Sequence, residues 1–192
     1  MQFFVYGRDR ADSLPTRLAL LPAHWAYMRA FIPSLAARGP TIGTDGRPTG
    51  SLHIVDLPDA AAAAAFAADD PLAMGGVFAT VTIRRFRNLT GRTMWQFPAD
   101  PARPKFLFVG EASDPAATRS DDPDTAAPTS IAAQAAYLAA PHRAATVILH
   151  GPLLGDDGET WRGSAMLIEA DDPAAARALV AGDPAAGQHA RT

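Results

Sequence analysis

The hexapeptide QFFVYG at residues 2–7 returns as KFLFVG at residues 105–110, and GPTIGTDG at residues 39–46 returns as GPLLGDDG at residues 151–158. Two dipeptides keep the same order in both halves: Gly50-Ser51 with Gly163-Ser164, and Asp70-Pro71 with Asp183-Pro184. An alanine-rich composition cannot by itself place Gly-Pro, Asp-Gly and Gly-Ser in series. The chain is therefore predicted to be a tandem duplication of one module.

The composition is that of a globular protein without a cationic surface. Of the 192 residues, 48% are hydrophobic and 19% charged, and the formal net charge is −3. Such a chain has little to attract phosphates, so nucleic acid is not an expected partner. Cysteine is absent, which excludes disulfides and thiolate metal sites. The longest apolar run, residues 60–66, is too short for a membrane span, and we expect a soluble, cytoplasmic protein.

The first copy is predicted to begin with a strand at residues 2–7, followed by a helix that opens near Pro22. Four apolar residues recur at helical spacing and are expected to face the core: Trp25, Met28, Ile32 and Leu35. A short strand around residues 41–43 and an alternating strand at residues 51–57 follow.

The remainder of the copy completes a β-α-β-β-α-β order. Asp59 is placed to cap a second helix through the alanine run, which ends near Asp70-Pro71. Residues 77–83 alternate as a last strand. This order is the split ferredoxin-like arrangement, so the predicted fold class is α+β with two ferredoxin-like modules in tandem.

The second copy follows the same order, with Asp172-Pro173 opening its second helix, but it ends at Thr192 before its last strand. We therefore delimit one module at residues 1–97 and a degenerate module at residues 104–192, joined by a proline-rich linker. A single ferredoxin-like sheet leaves one face uncovered, and an intrachain pseudo-dimer of the two copies would cover it. The edge left by the missing strand would also allow a homodimer.

His24 is the candidate for chemistry among the five histidines. None of them stands at a metal-ligand spacing such as H-x-H or H-E-x-x-H, so neither a metal nor another cofactor is expected. A neutral imidazole is a good general base near pH 7, Asp45 is placed to orient it, and Arg17 can bind a carboxylate or enolate. A purely structural alternative stays open, in which His24 caps or packs at a helix start, Asp45-Gly46 only forms a turn, and Arg17 is solvated.

A series of short motifs runs through the first copy: Arg17-Leu18, Pro22-Ala23-His24, Gly39-Pro40, Asp45-Gly46, Thr49-Gly50-Ser51, Asp70-Pro71, Gly76-Val77-Phe78 and Arg85-Phe86. Together they resemble the YCII-related family over residues 1–88 and, more faintly, over residues 104–189. The resemblance implies a fold similar to the dimeric α/β-barrel proteins, with a histidine–aspartate pair in a cleft beside the sheet. Carried over to this chain, the pair is His24 and Asp45, with Asp70 as the alternative aspartate.

The second copy lacks the candidate base. The offset between the copies gives three opposed pairs: Ala136 with His24, Thr129 with Arg17, and Tyr137 with Trp25. Asp157, Gly163 and Ser164 persist there without a base to serve. We expect the second copy to be catalytically degenerate and to act as a partner for the first.

These features predict a small cofactor-independent enzyme of the isomerase, lyase (dehydrohalogenase) or cyclase type. His24 would move a proton on an enolisable, phenolic or lactone-like small molecule, and Asp45 would orient it. Arg17 and Ser51 would bind the developing oxyanion, with Asp70 as a further substrate contact. The alternative is a non-catalytic protein of the same fold that binds a small molecule.

Overall fold

The computed structural model describes residues 1–112 and 127–184, and the chain divides into two compact units, Met1–Phe86 and Arg87–Thr192. The first unit contains four strands and three α-helices, and the predicted β-α-β-β-α-β order is confirmed with one extra four-residue helix before the last strand. Their bounds are β1 (Gln2–Asp9), α1 (Leu14–Met28), β2 (Leu35–Ile42), β3 (Pro48–Asp56), α2 (Ala60–Ala68), α3 (Pro71–Met74) and β4 (Phe78–Phe86).

The four strands of the first unit form an antiparallel sheet in the order β2-β3-β1-β4, as in ferredoxin-like folds. Alternate residues of β1 point to the helix side of the sheet, where Phe3 and Val5 are buried. Helix α1 contributes Met28 to this core and helix α2 contributes Phe66. The helices are thereby held over the centre of the sheet, and β1 and β3 lie beneath α1.

Helix α1 begins eight residues earlier than the sequence predicts. It starts at Leu14 with Pro15 in its first turn, and Pro22 lies in its interior. Either proline could stand in the first turn of a helix, because a residue there needs no backbone N–H partner. The structure places Pro15 there, so the predicted start near Pro22 is wrong.

The predicted apolar stripe is correct at only two of its four positions. Met28 and Leu35 are buried, but Trp25 is 58% exposed and Ile32 is 48% exposed. The helical spacing runs across three different elements, since α1 ends at Met28, a 3-10 turn covers Arg29–Ser34, and β2 begins at Leu35. The face that α1 buries carries polar side chains instead, and these form the site described below.

The Gly-Ser pair that both copies share has a steric cause. A Cβ on Gly50 would collide with the carbonyl oxygen of Gly7 on the neighbouring strand. Gly163 has φ +144°, and a Cβ there would collide with the carbonyl oxygen of Gly110. The strands therefore pack too closely at this point for any larger residue, in both units.

The second unit contains three strands and three α-helices among its described residues: β5 (Lys105–Glu111), α4 (Ala127–Leu138), α5 (Pro141–Ala144), β6 (Val147–Leu154), β7 (Trp161–Glu169) and α6 (Pro173–Ala181). The strands are antiparallel in the order β6-β7-β5. Within the described part of this unit, no strand follows α6. The other edge of β6 receives backbone hydrogen bonds from Arg87 to Pro152 and from Leu89 to His150.

The predicted helix caps are confirmed in both units. The Asp59 side chain accepts a hydrogen bond from the backbone N–H of Ala62 at 2.8 Å, and Asp172 does the same for Ala175 at 2.8 Å. Each carboxylate satisfies an N–H group that the first turn of a helix leaves without a partner.

Candidate active site

Helix α1 turns a polar face toward the sheet. Arg17, His24 and Met28 are its buried residues, and the first two lie seven residues apart, which is two helical turns. Burial of a cation and an imidazole on one face is unfavourable unless each has a polar partner. The hydrogen-bond partners of Arg17 and His24 therefore show which groups this face of α1 binds.

His24 is paired with Asp70. Its Nδ1 lies 2.8 Å from Oδ1 of Asp70, and the two residues are 7% and 4% exposed. The same Oδ1 accepts the backbone N–H of Leu72 at 2.9 Å, so Asp70 also caps α3. An ionised carboxylate only accepts hydrogen bonds, which assigns the proton to Nδ1 and leaves Nε2 as the basic nitrogen.

Asp45 does not take part in this pair, and the predicted contact between Asp45 and His24 is wrong. Its side chain is 61% exposed in the turn between β2 and β3, where Oδ1 accepts the backbone N–H of Arg47 at 3.0 Å. Gly46 follows with φ +80°, as this kind of turn requires. The structure shows the turn-forming aspartate that the sequence left as the alternative.

Arg17 joins α1 to two strands. Its Nη1 donates to Oδ1 of Asp9 at 2.9 Å, and its Nη2 donates to the carbonyl oxygen of Gly50 at 2.9 Å and to Oγ of Ser51 at 2.5 Å. The side chains of Arg17 and Asp9 are 2% and 6% exposed. Burial lowers the pKa of Arg17 and raises that of Asp9, and the charge of each opposes the shift in the other.

A cavity of about 290 Å³ lies beside this face of α1. Its lining consists of two arginines, two histidines, one serine and a set of apolar or backbone surfaces: Arg17, Leu21, His24, Trp25, Arg38, Gly39, Pro40, Pro48, Ser51 and His53. The structure thus brings together three of the predicted site residues at one cavity, His24, Arg17 and Ser51, with Asp70 bonded to His24. Asp45 is not among the lining residues.

Sequence reasoning missed His53, which shares the cavity with His24. The two ring centroids are 5.6 Å apart, and the edge of Phe66 packs against His53 at 5.6 Å. His53 faces the same side of β3 as Ser51, two residues earlier, and lies opposite Arg38 on β2. The period of two along the strand was the signal that could have found it, because Ser51 was already a candidate.

His53 is neutral near pH 7. Burial lowers its pKa from the ordinary 6.5 to about 4, and His24, Arg38 and Arg17 add to the effect while Asp70 opposes it. Between pH 6.5 and 4 the unfolded chain therefore binds a proton at this position that the folded chain does not. The contribution of neutral, buried His53 to the free energy of unfolding is therefore fully present above pH 6.5 and is lost as the pH falls toward 4.

We expect the free energy of unfolding to decrease between pH 7 and pH 4, and His53→Gln to reduce that decrease by on the order of 2–3 kcal/mol. Urea unfolding followed by circular dichroism at several pH values measures both. His142→Gln, at an exposed histidine of the second unit, is the matched control and should leave the pH dependence unchanged. An equal decrease in wild type and His53→Gln would contradict the neutral, buried state of His53.

The YCII-related domain model matches residues 1–87 and again residues 114–190. The chain belongs to the YCII-related family. The two matches also fit the predicted tandem duplication. Among curated YCII-related proteins, Protein YciI of Escherichia coli and that of Shigella flexneri are each 32% identical over 97 residues, covering 46% of this chain and 99% of the relative.

Two solved structures are similar to this YCII-related chain. A 5-chloro-2-hydroxyhydroquinone dehydrochlorinase of Burkholderia phenoliruptrix, in complex with 2,5-dihydroxybenzoquinone, has a TM-score of 0.45 and 29% identity, covering 48% of this chain and 99% of that one. A candidate monooxygenase from Lactobacillus acidophilus has a TM-score of 0.50 and 10% identity, covering 97% of this chain and 83% of that one. The second likeness extends the fold assignment to both YCII-related units.

The second YCII-related unit carries a glutamine where the first has His24. Gln134 Nε2 donates to Oδ2 of Asp183 at 2.6 Å, and Asp183 is the counterpart of Asp70 in the repeat. The register is fixed by two tyrosines with the same contact: Tyr27 donates to the carbonyl oxygen of Phe66 at 3.0 Å, and Tyr137 to that of Leu179 at 2.9 Å.

Gln134 rather than Ala136 therefore stands opposite His24, and the predicted pairing was two residues out of register. The same register places Ala127 opposite Arg17, in place of Thr129, and Tyr137 opposite Tyr27, in place of Trp25.

The second unit has no arginine at the position of Arg17, which binds Ser51 in the first unit. Ser164, the counterpart of Ser51, is 1% exposed, and its Oγ has no hydrogen-bond partner within the described part of the chain. Nδ1 of His150 likewise has no hydrogen-bond partner among the described residues, and burial lowers the pKa of this imidazole to about 4. The second unit therefore carries a neutral amide, Gln134, at the position of the candidate base.

Residues 1–112 and 127–184 contain no group of three His, Cys, Asp or Glu side chains placed to hold a metal ion. In the same ranges, no helix is both long enough and apolar enough to span a membrane. The absence of a cofactor, the intrachain pseudo-dimer and the homodimer stay predictions.

Proposed function

We propose that this protein is a small cofactor-independent enzyme in which His24 transfers a proton on a small enolisable, phenolic or lactone-like substrate. One observation carries the proposal: a buried carboxylate holds one nitrogen of His24 at 2.8 Å, and the ring lines a cavity. A histidine that only fills space in a core needs neither a charged partner nor an adjacent cavity. The pair is the arrangement expected of a general base with an orienting acid.

The proposed reaction begins with the Nε2 lone pair of His24, which takes a proton from a C–H or O–H bond of the substrate. The bonding electrons move into the substrate and form an enolate or a phenolate. Asp70 stabilises the imidazolium that results, because its charge is 2.8 Å away and is shielded from water. Return of the proton to another atom gives isomerisation or ring closure, and departure of a leaving anion gives elimination.

Ser51 is the proposed donor to the developing oxyanion. Its Oγ accepts a hydrogen bond from Arg17, so its own O–H proton is available to the cavity that it lines. Arg17 acts through Ser51, since two of its nitrogens already bind protein oxygens. Asp9, Arg17 and Ser51 then form a chain of polar contacts that ends at the substrate.

Proton nuclear magnetic resonance in D₂O tests the proposal. The wild type is incubated with chlorohydroquinone, cyclohexane-1,2-dione and a five-membered unsaturated lactone, and loss of C–H signal, new product signals and chloride release are followed. We expect turnover of at least one class, and a fall of on the order of 100-fold or more in His24→Ala. His142→Ala, at an exposed histidine, is the control and should retain full activity.

Each outcome decides between two classes of function. Turnover by His24→Ala at the wild-type rate would contradict the proposal. Saturable binding of these compounds without exchange or product in the wild type would establish the alternative, a non-catalytic small-molecule-binding protein. Circular dichroism of His24→Ala confirms that any loss of activity is not a loss of fold.

A further inference from the structure

The cavity at α1 is lined by hydrogen-bond donors and has the size of a single ring. Among its described lining residues are two guanidinium groups and no carboxylate. Asp9 and Asp70, the acids bonded to Arg17 and His24, are not part of the lining. A cavity of roughly 150 Å³ can hold benzene, so about 290 Å³ suits one ring with polar substituents.

His53 is a largely buried imidazole in the wall of the cavity. Its side chain lines the cavity, and the residue is 5% exposed. Within residues 1–112 and 127–184 the imidazole makes ring contacts with His24 and Phe66 but no hydrogen bond. A ligand oxygen in the cavity would provide an acceptor for its ring N–H.

The state of this imidazole determines what it can recognise. With its pKa at about 4, His53 is uncharged near pH 7, so one ring nitrogen donates and the other accepts. Because its pKa is about 4, this imidazole is a poor acceptor for a substrate proton near pH 7. It can still donate to an oxygen on which negative charge develops.

We propose that His53 is a further catalytic residue, which donates a hydrogen bond to a phenol or enolisable carbonyl oxygen of a single-ring substrate beside the proton that His24 takes. This inference rests on the proposed function of His24. As the C–H or O–H bond breaks, its proton goes to Nε2 of His24 and its electron pair passes through the ring to the oxygen that His53 binds. Arg38, opposite His53 in the strand register, adds positive charge on the same side of the cavity.

The second unit offers a natural reference for the role of His53. Met166 occupies the equivalent position on β7, opposite His150, and it is 1% exposed. A buried methionine is therefore compatible with this place in the fold. His53→Met removes the hydrogen-bond donor in a residue that the repeat itself tolerates, and His53→Gln keeps an N–H donor on a side chain of similar length.

Binding of 4-nitrophenol tests the inference, since its phenolate absorbs visible light and its phenol does not. One titration of the wild type therefore reports both affinity and protonation state. We expect preferential binding of the phenolate, a loss of about 10-fold or more in phenolate affinity in His53→Met, and a loss within about 3-fold in His53→Gln. Nitrobenzene, which has the ring but no phenolic oxygen, should bind all three proteins equally.

Three results would overturn the inference: unchanged phenolate affinity in His53→Met, an equal loss in His53→Gln, or a wild type that does not prefer 4-nitrophenolate to nitrobenzene. Circular dichroism verifies the fold of each variant. The titration requires no proton transfer, so it separates the two proposals. If His24→Ala retains turnover, the proposed function fails even when His53→Met weakens binding; if only the His53 variants behave like wild type, the role of His53 fails alone.

Discussion

Asp70→Asn lowers kcat by on the order of 100-fold or more and leaves KM nearly unchanged. Oδ1 of Asp70 accepts both the His24 ring N–H and the backbone N–H of Leu72, and the amide oxygen of asparagine can accept both in the same way. The substitution therefore keeps the geometry and the helix cap while it removes the negative charge. What is lost is the stabilisation of the imidazolium that forms when His24 takes the proton.

Asp45→Asn is the matched control, because Asp45 was the partner expected from the sequence. Its carboxylate lies in an exposed turn, so the substitution should change kcat by less than about twofold. Steady-state kinetics on the substrate identified by nuclear magnetic resonance compare the two variants. A large loss in Asp45→Asn together with a normal Asp70→Asn would show that the functional pair differs from the one in the structure.

Arg17→Met decreases the free energy of unfolding by about 3–5 kcal/mol. The substitution removes the cation but leaves the side chain of Asp9, which is 6% exposed, with an uncompensated charge. The Gly50 carbonyl and the Ser51 hydroxyl lose a donor at the same time. Urea unfolding followed by circular dichroism gives the difference directly.

Two further variants make the Arg17 measurement specific. Arg47→Met removes an arginine whose side chain is 72% exposed and 3.8 Å from its acidic partner, and it should cost less than about 0.5 kcal/mol. The double variant Arg17→Met with Asp9→Leu removes both buried charges and should recover most of the lost stability. A loss below about 1 kcal/mol in Arg17→Met would show that the buried ion pair is not what holds α1 to the sheet.

The order of the elements could be predicted from the sequence because it depends on local patterns. The repeated motifs identified the duplication, the alternation of β3 marked a strand, and Asp59 marked a helix start that the structure confirms. The start of α1 could not be chosen in the same way. Pro15 and Pro22 both fit a first turn, and only the burial of Arg17 places the earlier residues inside the helix.

The site was predictable in its residue types and less so in its contacts. His24, Arg17 and Ser51 were chosen for their chemistry and converge on one cavity. The choice between Asp45 and Asp70 depended on which loop approaches α1 in space, which a single sequence does not contain. The comparison of the two copies failed for a related reason, since an insertion of unknown position shifted α4 by two residues against α1.

Arg17 also bears on how substrate preference can diverge in this fold. Its guanidinium is bonded to β1 through Asp9 and to β3 through Gly50 and Ser51, so one wall of the cavity is part of the framework of the unit. Changes there lower the stability of the fold as well as altering its selectivity. Trp25, 58% exposed at the same cavity, carries no such constraint. Evolution of a new substrate range, or its engineering, is therefore confined to the solvent-facing wall, where mutations change recognition without a penalty in stability.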